Sequence, residues 1–124
     1  MVKKWKAIYY PLPDGSRPVQ EFIHALPENE SAKVYAWITE LENKGPNLPR
    51  PYAAFLEDGI HELRVKITGT QERILYFFCF QNQIVLTNNF EKHSQTVPKS
   101  EIRLAKKRRE DFLKRFPNKQ EDYP

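Results

Sequence analysis

The sequence predicts an α+β domain, and three observations carry that prediction. Three strand-like segments follow one another at 60–67, 72–80 and 83–89, with turn residues between them. Two longer stretches, about 28–44 and 98–116, repeat their apolar residues at the period of a helix. A further strand and a short helix precede these, giving the order strand, helix, helix, three strands, helix. A chain of 124 residues argues for one domain, expected over 1–117 with a polar tail at 118–124.

Each element has its own reason. Trp5-Lys6-Ala7-Ile8-Tyr9-Tyr10 reads as the first strand, and Pro11 and Pro13-Asp14-Gly15 end it in a turn. Ser16 is placed to cap a short helix with Pro18 in its first turn, running to about Leu26, and Pro27 breaks it. In the second helix Val34, Trp37, Ile38 and Leu41 fall at i, i+3, i+4 and i+7, one face of a helix. Glu28 and Glu30 suit its positive N-terminus, and Gly45-Pro46 stops it. The two helices should form a hairpin. Pro46, Pro49 and Pro51 mark 46–58 as a loop. Thr68-Gly69-Thr70 and Gln81-Asn82 are turn candidates, so the three strands should form an antiparallel meander. The middle strand is apolar on both faces and should be central. Pro98 opens the last helix, with Ile102, Ala105, Phe112, Leu113 and Phe116 inside and Lys106-Lys107-Arg108-Arg109 outside. One sheet face should pack on helices and the other stay free to bind something.

Composition narrows the function. Hydrophobic residues make up 40% of the chain and charged ones 29%, which together with the periodicities argues against disorder. The single cysteine, Cys79, lies in an apolar run and reads as a buried structural thiol. A reducing cytoplasm fits, and neither a signal peptide nor a membrane span is expected. The net charge of +4 is uneven: residues 61–124 carry thirteen Lys and Arg against eight Asp and Glu. A basic half suggests a polyanion or an acidic protein as partner, or an ordinary solvated helix face. The sequence has no Walker or Rossmann glycine loop, no Cys-x-x-Cys pair and no His-Glu-x-x-His, and its acidic residues are scattered. No metal or cofactor is therefore expected.

What remains is a set of cations and histidines on and beside the sheet. Side chains alternate along a strand, so Glu62, Arg64 and Lys66 share one face and Leu63, Val65 and Ile67 the other. A short turn at Gly69-Thr70 would set Lys66 opposite Arg73 and Arg64 opposite Leu75, making a cationic patch of Arg64, Lys66 and Arg73. The alternative is a solvated strand face in which Glu62 pairs an arginine. Lys92 and His93, in the segment that leaves the last strand, could reach the same patch. His61 alternates onto the core side and reads as a structural or rim histidine. His24 is given no role. Tyr76 reads as packing, with stacking on a base as the alternative.

Three runs carry a resemblance. Gly59-Ile60-His61-Glu62-Leu63-Arg64-Val65 resembles the Gly-Leu-x-Glu-Leu-Arg signature of HigB-like, phage-derived toxins in the RelE/ParE superfamily. Glu72-Arg73-Ile74-Leu75-Tyr76-Phe77 resembles their Tyr-Arg-x-x-Tyr strand. Phe90-x-Lys92-His93-Ser94-Gln95-x-x-Pro98-x-x-Glu101-Ile102-x-x-Ala105 resembles their Phe-x-Lys-Lys-Thr-x-x-Thr-Pro-x-x-Glu-Ile-x-x-Ala block. The three cover about residues 59–111. The chain departs from the pattern at Glu72, where an aromatic is common, at His93, where a second lysine is common, and at Val97, where a threonine is common.

The resemblance implies a RelE-like fold and the toxin of a type II toxin–antitoxin system, a metal-independent, ribosome-dependent endoribonuclease that cuts messenger RNA. Its expected partners are a cognate antitoxin with a helix-turn-helix and messenger RNA on the ribosome. In such a reaction the RNA 2′-hydroxyl attacks the adjacent phosphorus and the 5′-oxygen leaves. That requires a base, stabilisation of the phosphorane and an acid. On that footing Arg64 and Arg73 hold the scissile phosphate, Lys92 adds charge, and His93 is the acid or base. Lys66, Tyr76 and Lys99 are the further RNA contacts. The alternatives on the same fold are a ParE-type toxin acting on gyrase, a non-catalytic RNA-binding or regulatory module, and a structural phage protein.

Overall fold

The structure, a computed structural model, describes residues 4–117; the tail expected at 118–124 lies outside the described residues. The elements are β1 (Lys6–Tyr9), α1 (Pro18–His24), α2 (Glu28–Lys44), β2 (Ala53–Glu57), β3 (Ile60–Ile67), β4 (Thr70–Cys79), β5 (Gln83–Glu91) and α3 (Lys99–Arg115). They build one five-stranded sheet in the order β1-β5-β4-β3-β2. Strands β2 to β5 form an antiparallel meander, and β1 joins the far edge parallel to β5. The sheet is thus mixed, with β4 in its centre as its two apolar faces predict. None of the described helices is long and apolar enough to cross a membrane.

Strand β2 corrects the expected loop at 46–58. The prolines end at Pro51, and the chain then pairs Ala53 with Leu63 and Phe55 with His61. Asp58 and Gly59 both take positive φ, 48° and 78°, and link β2 to β3 in a two-residue turn. An Asp-Gly pair suits such a turn because both positions need the left-handed region. A smaller correction concerns Ser16, whose hydroxyl bonds Asp14 at 2.7 Å; the helix begins at Pro18.

The expectation of one helix-covered face and one free face is overturned. On one face α1 and α2 bury Val19, Ile23, Val34, Ile38 and Leu41 against Leu63, Val65, Ile74, Tyr76 and Leu86. On the other, α3 buries Ala105, Phe112 and Phe116 against Ile60, Leu75, Phe77 and Val85. An amphipathic helix must cover its apolar stripe, at about 1.5–3 kcal/mol per large side chain, and the uncovered sheet face is where α3 can do so. Leu113, expected inside, is exposed. Cys79 is half-buried against the same core. The basic run on α3 is largely engaged. Lys106 Nζ lies 2.6 Å from Glu57 Oε2, and Arg109 bonds Asp58, so the two clamp the β2–β3 turn. Arg108 donates to the Thr87 carbonyl at 2.8 Å.

Helix α2 ends at Gly45, with φ 53° and ψ −127°, and the Trp5 indole packs directly on it. A Cβ there would stand 2.3 Å from Trp5 Nε1. Gly45→Ala is therefore expected to destabilise the chain by at least about 2 kcal/mol, combining overpacking with a strained φ. Urea unfolding would measure it, and a midpoint equal to the wild type's would show that Trp5 does not pack there.

Candidate functional site

Strands β3 and β4 meet in a two-residue turn that pairs Ile67 with Thr70, and Gly69 takes φ 79° there. The register places Arg64 directly across from Arg73 and Lys66 across from Gln71. The sequence-based register had Lys66 facing Arg73, two residues away from what is observed. A shift of two keeps every side chain on its face, so Arg64, Lys66 and Arg73 do share one, and it is the α3 face.

The expectation that the two arginines lie exposed on a free face is corrected. They converge on Glu62, which is 2% exposed. Arg64 Nη2 and Nε lie 3.0 and 3.2 Å from Glu62 Oε2, and Arg73 Nε lies 3.2 Å from Oε1. The Arg73 contact is an ionic one without hydrogen-bond alignment, since Nε and Oε1 have no hydrogen-bond partner. Arg73 also donates to the Glu72 carbonyl at 3.1 Å. Its side chain is 8% exposed and that of Arg64 25%. Burial pulls the Arg73 guanidinium below its ordinary value and the Glu62 carboxylate pulls it back up, so it stays cationic at neutral pH. A buried carboxylate between two facing arginines offsets their mutual repulsion, and its two hydrogen bonds from Arg64 fix the plane of that guanidinium.

Helix α3 covers only part of this face, and two hollows that share Arg73 and Gln71 border the arginines, the second reaching to residues of α2. One, of about 400 Å³, is lined by Arg73, Lys92, His93, Ser94 and Gln95. The other, of about 450 Å³, is lined by Arg64, Lys66, Arg73, Lys33, Trp37 and Tyr52. Main-chain bonds hold both rims: Lys92 N donates to the Gln71 carbonyl at 2.7 Å, and Arg64 N to the Tyr52 carbonyl at 2.8 Å. The structure thus brings Arg64, Lys66, Arg73, Lys92 and His93 together. His93 is exposed, with Nε2 3.2 Å from Glu91 Oε2.

A bulge in β5 shapes this end of the sheet. Leu75 pairs with Asn88 but Tyr76 pairs with Leu86, leaving Thr87 as the extra residue. Beyond it the faces swap, so that Asn88 and Phe90 turn toward α3 and Glu91 turns away. Asn88 Nδ2 then donates to Glu101 Oε1 at 3.0 Å, seating the N-terminus of α3 beside the site.

Two of the expected RNA contacts lie elsewhere. Tyr76 is buried on the α1/α2 face, where burial raises its phenol well above the ordinary value. It packs on Phe78 and His61 and is not presented for base stacking, a correction that follows from its opposite parity to Arg73 on β4. Lys99 is exposed at the start of α3, lines neither hollow, and acts on Glu57. His61 is a half-buried rim residue, and burial lowers its imidazole. Sequence reasoning missed Tyr52, Trp37, Lys33 and Gln71. Trp37 had been read as core only, and nothing in the sequence ties Tyr52 to Arg64 until β2 is seen.

Behind Arg73, Glu72 is buried and pairs directly with Glu91. Burial raises its carboxyl above the usual range and Glu91 adds to this, while Thr70, His93 and Arg73 act oppositely. The folded chain therefore holds this proton more tightly than the unfolded chain, so the ionised group costs stability at neutral pH. Glu72→Gln is expected to raise the thermal midpoint at pH 7, and the gain should vanish below about pH 4, where the unfolded carboxyl is also protonated. Melting curves across pH check this, and a gain independent of pH would contradict it.

Among the described residues no group of three or more His, Cys, Asp and Glu side chains is placed to hold a metal ion. A comparison with curated proteins finds no match. Residues 21–110, most of the chain and all of the cationic site, match the family described as Phage derived protein Gp49-like (DUF891). The chain therefore belongs to the phage-derived Gp49-like family, a type II toxin–antitoxin toxin family of the RelE/HigB kind.

Proposed function

We propose that this chain is a ribosome-dependent endoribonuclease that cuts messenger RNA without a metal. The observation that carries the reading is the Arg64–Arg73 pair across β3 and β4, opening onto Lys92 and His93. A phosphodiester laid over Arg73 would meet guanidinium and ammonium groups where the phosphorane develops its charge. The 2′-hydroxyl loses its proton to a base, its oxygen bonds phosphorus, and the bond to the 5′-oxygen breaks. The products are a 2′,3′-cyclic phosphate and a 5′-hydroxyl, the latter protonated by the acid. His93 is the group suited to move a proton near neutrality. Glu91 engages its Nε2, leaving Nδ1 for the reacting strand. Glu62 is a positioning residue that aims both arginines.

The family implies an antitoxin partner. Expression without it is expected to arrest growth and shorten messenger RNA, and coexpression of the neighbouring gene's product should restore both. Arg73→Ala should relieve the arrest. Arrest that persists undiminished in Arg73→Ala, with intact RNA in either form, would favour a gyrase-directed toxin instead.

A further inference from the structure

We propose that Tyr52, supported from beneath by Trp37, is the stacking platform for one nucleobase of the RNA whose phosphate lies at Arg73. The inference rests on the RNA-cleaving reading above and adds where a base is held. Tyr52 is 42% exposed, and its ring is stacked on Trp37 with centroids 4.7 Å apart and planes 22° from parallel. Trp37 fixes the ring from one side. The ring borders the 450 Å³ hollow, whose charged walls are Arg64, Lys66, Lys33 and Arg73. Among the described residues no carboxylate lines the hollow, and Glu62, which the two arginines share, is 2% exposed. An open hollow with a rigid aromatic wall and cationic sides suits a ligand that joins a flat ring to a negative charge. A nucleotide in a single strand is that ligand.

The position is tied to the cleavage centre by backbone. The Tyr52 carbonyl accepts from Arg64 N at 2.8 Å, so the platform moves with the strand that carries Arg64. Arg73 and Gln71 belong to both hollows, so a strand crossing Arg73 from the His93 side continues onto Tyr52. Tyr52 thereby takes the base-stacking role that the buried Tyr76 cannot. A π-face accepts every base, so broad sequence tolerance is expected, with Gln71 as the amide able to reach a base edge.

The test is a fluorescence anisotropy titration at low salt with a labelled 2′-O-methyl RNA 12-mer, which lacks the attacking hydroxyl, and with an abasic strand of the same length. Wild type should prefer the base-bearing strand by about 5- to 100-fold. Tyr52→Phe should keep that preference. Tyr52→Ala should lose it, and so should Tyr52→Leu, which still covers Trp37, while both retain the wild-type affinity for the abasic strand. Arg73→Ala should weaken both strands alike. If Tyr52→Ala and Tyr52→Leu keep the full preference while Arg73→Ala weakens binding, the platform is wrong and the RNA reading stands. If wild type binds neither strand, the platform falls, while the ribosome-dependent reading is decided by cleavage on programmed ribosomes; if wild type binds but Arg73→Ala changes neither affinity, both fall.

Discussion

Glu62→Ala is expected to cost about 3–5 kcal/mol of stability, the range for breaking a buried ion pair from one side. Arg73 would keep its charge with its side chain 8% exposed and its carboxylate gone. Arg64, its direct partner across the strands, would then repel it, since like charges facing each other destabilise a sheet. Glu62→Gln should fall between, because the amide keeps the volume and loses the charge. Replacing the buried pair together is expected to behave differently: Glu62→Leu with Arg73→Leu should recover much of the loss, as apolar side chains of similar size often match a buried pair. The doubly substituted chain should be folded and inactive, which separates the hub's part in stability from its part in chemistry. Urea unfolding of the four forms measures this. A Glu62→Ala chain within about 1 kcal/mol of wild type would show that water or another group already compensates Arg73.

His93→Ala is expected to slow cleavage about 10²- to 10⁴-fold if the imidazole transfers a proton. Loss of one phosphate contact would cost only on the order of tenfold, about 1.4 kcal/mol. His93→Lys should retain RNA binding, since the positive charge stays, and should lose or shift the dependence of the rate on pH near neutrality. Rates on programmed ribosomes across pH decide. An alanine variant within a few-fold of wild type, with an unchanged profile, would leave Arg64, Arg73 and Lys92 as the working set.

Particular residues show what a sequence can and cannot reveal here. The helical stripe in 28–44 matches α2 because Val34, Ile38 and Leu41 bury one face, and the alternation in 60–67 matches β3 because Leu63, Val65 and Ile67 are buried on one side while Arg64 and Lys66 on the other keep some exposure. The same alternation put Arg64 and Arg73 on one face even with the register two residues out, since parity survives such a shift. It also separates Tyr76 from Arg73, which agrees with the reading of Tyr76 as packing and removes it from the RNA contacts. Strand β2 was hidden by Pro46, Pro49 and Pro51 and by the weak strand character of Ala53-Ala54. The Asp58-Gly59 turn was its one readable mark. The Thr87 bulge and the seat of α3 on the second face depend on long-range packing, which no local pattern reports. The cationic set was thus legible, and so was the pairing of Glu62 with an arginine, though on a solvated face and with one arginine where the structure has two on a buried carboxylate. The Tyr52–Trp37 wall was not legible, because it joins a segment read as loop to a tryptophan read as core.

The central claim is the chemistry at Arg73 and His93, and the ends of the cut RNA report it most directly. Wild-type chain is incubated with ribosomes translating a defined message, and the new termini are identified. The account predicts 2′,3′-cyclic phosphate on one fragment and 5′-hydroxyl on the other, with both lost or slowed at least a hundredfold in His93→Ala. Fragments ending in 3′-hydroxyl and 5′-phosphate, the mark of attack by water, or a message left whole while growth still stops, would contradict it.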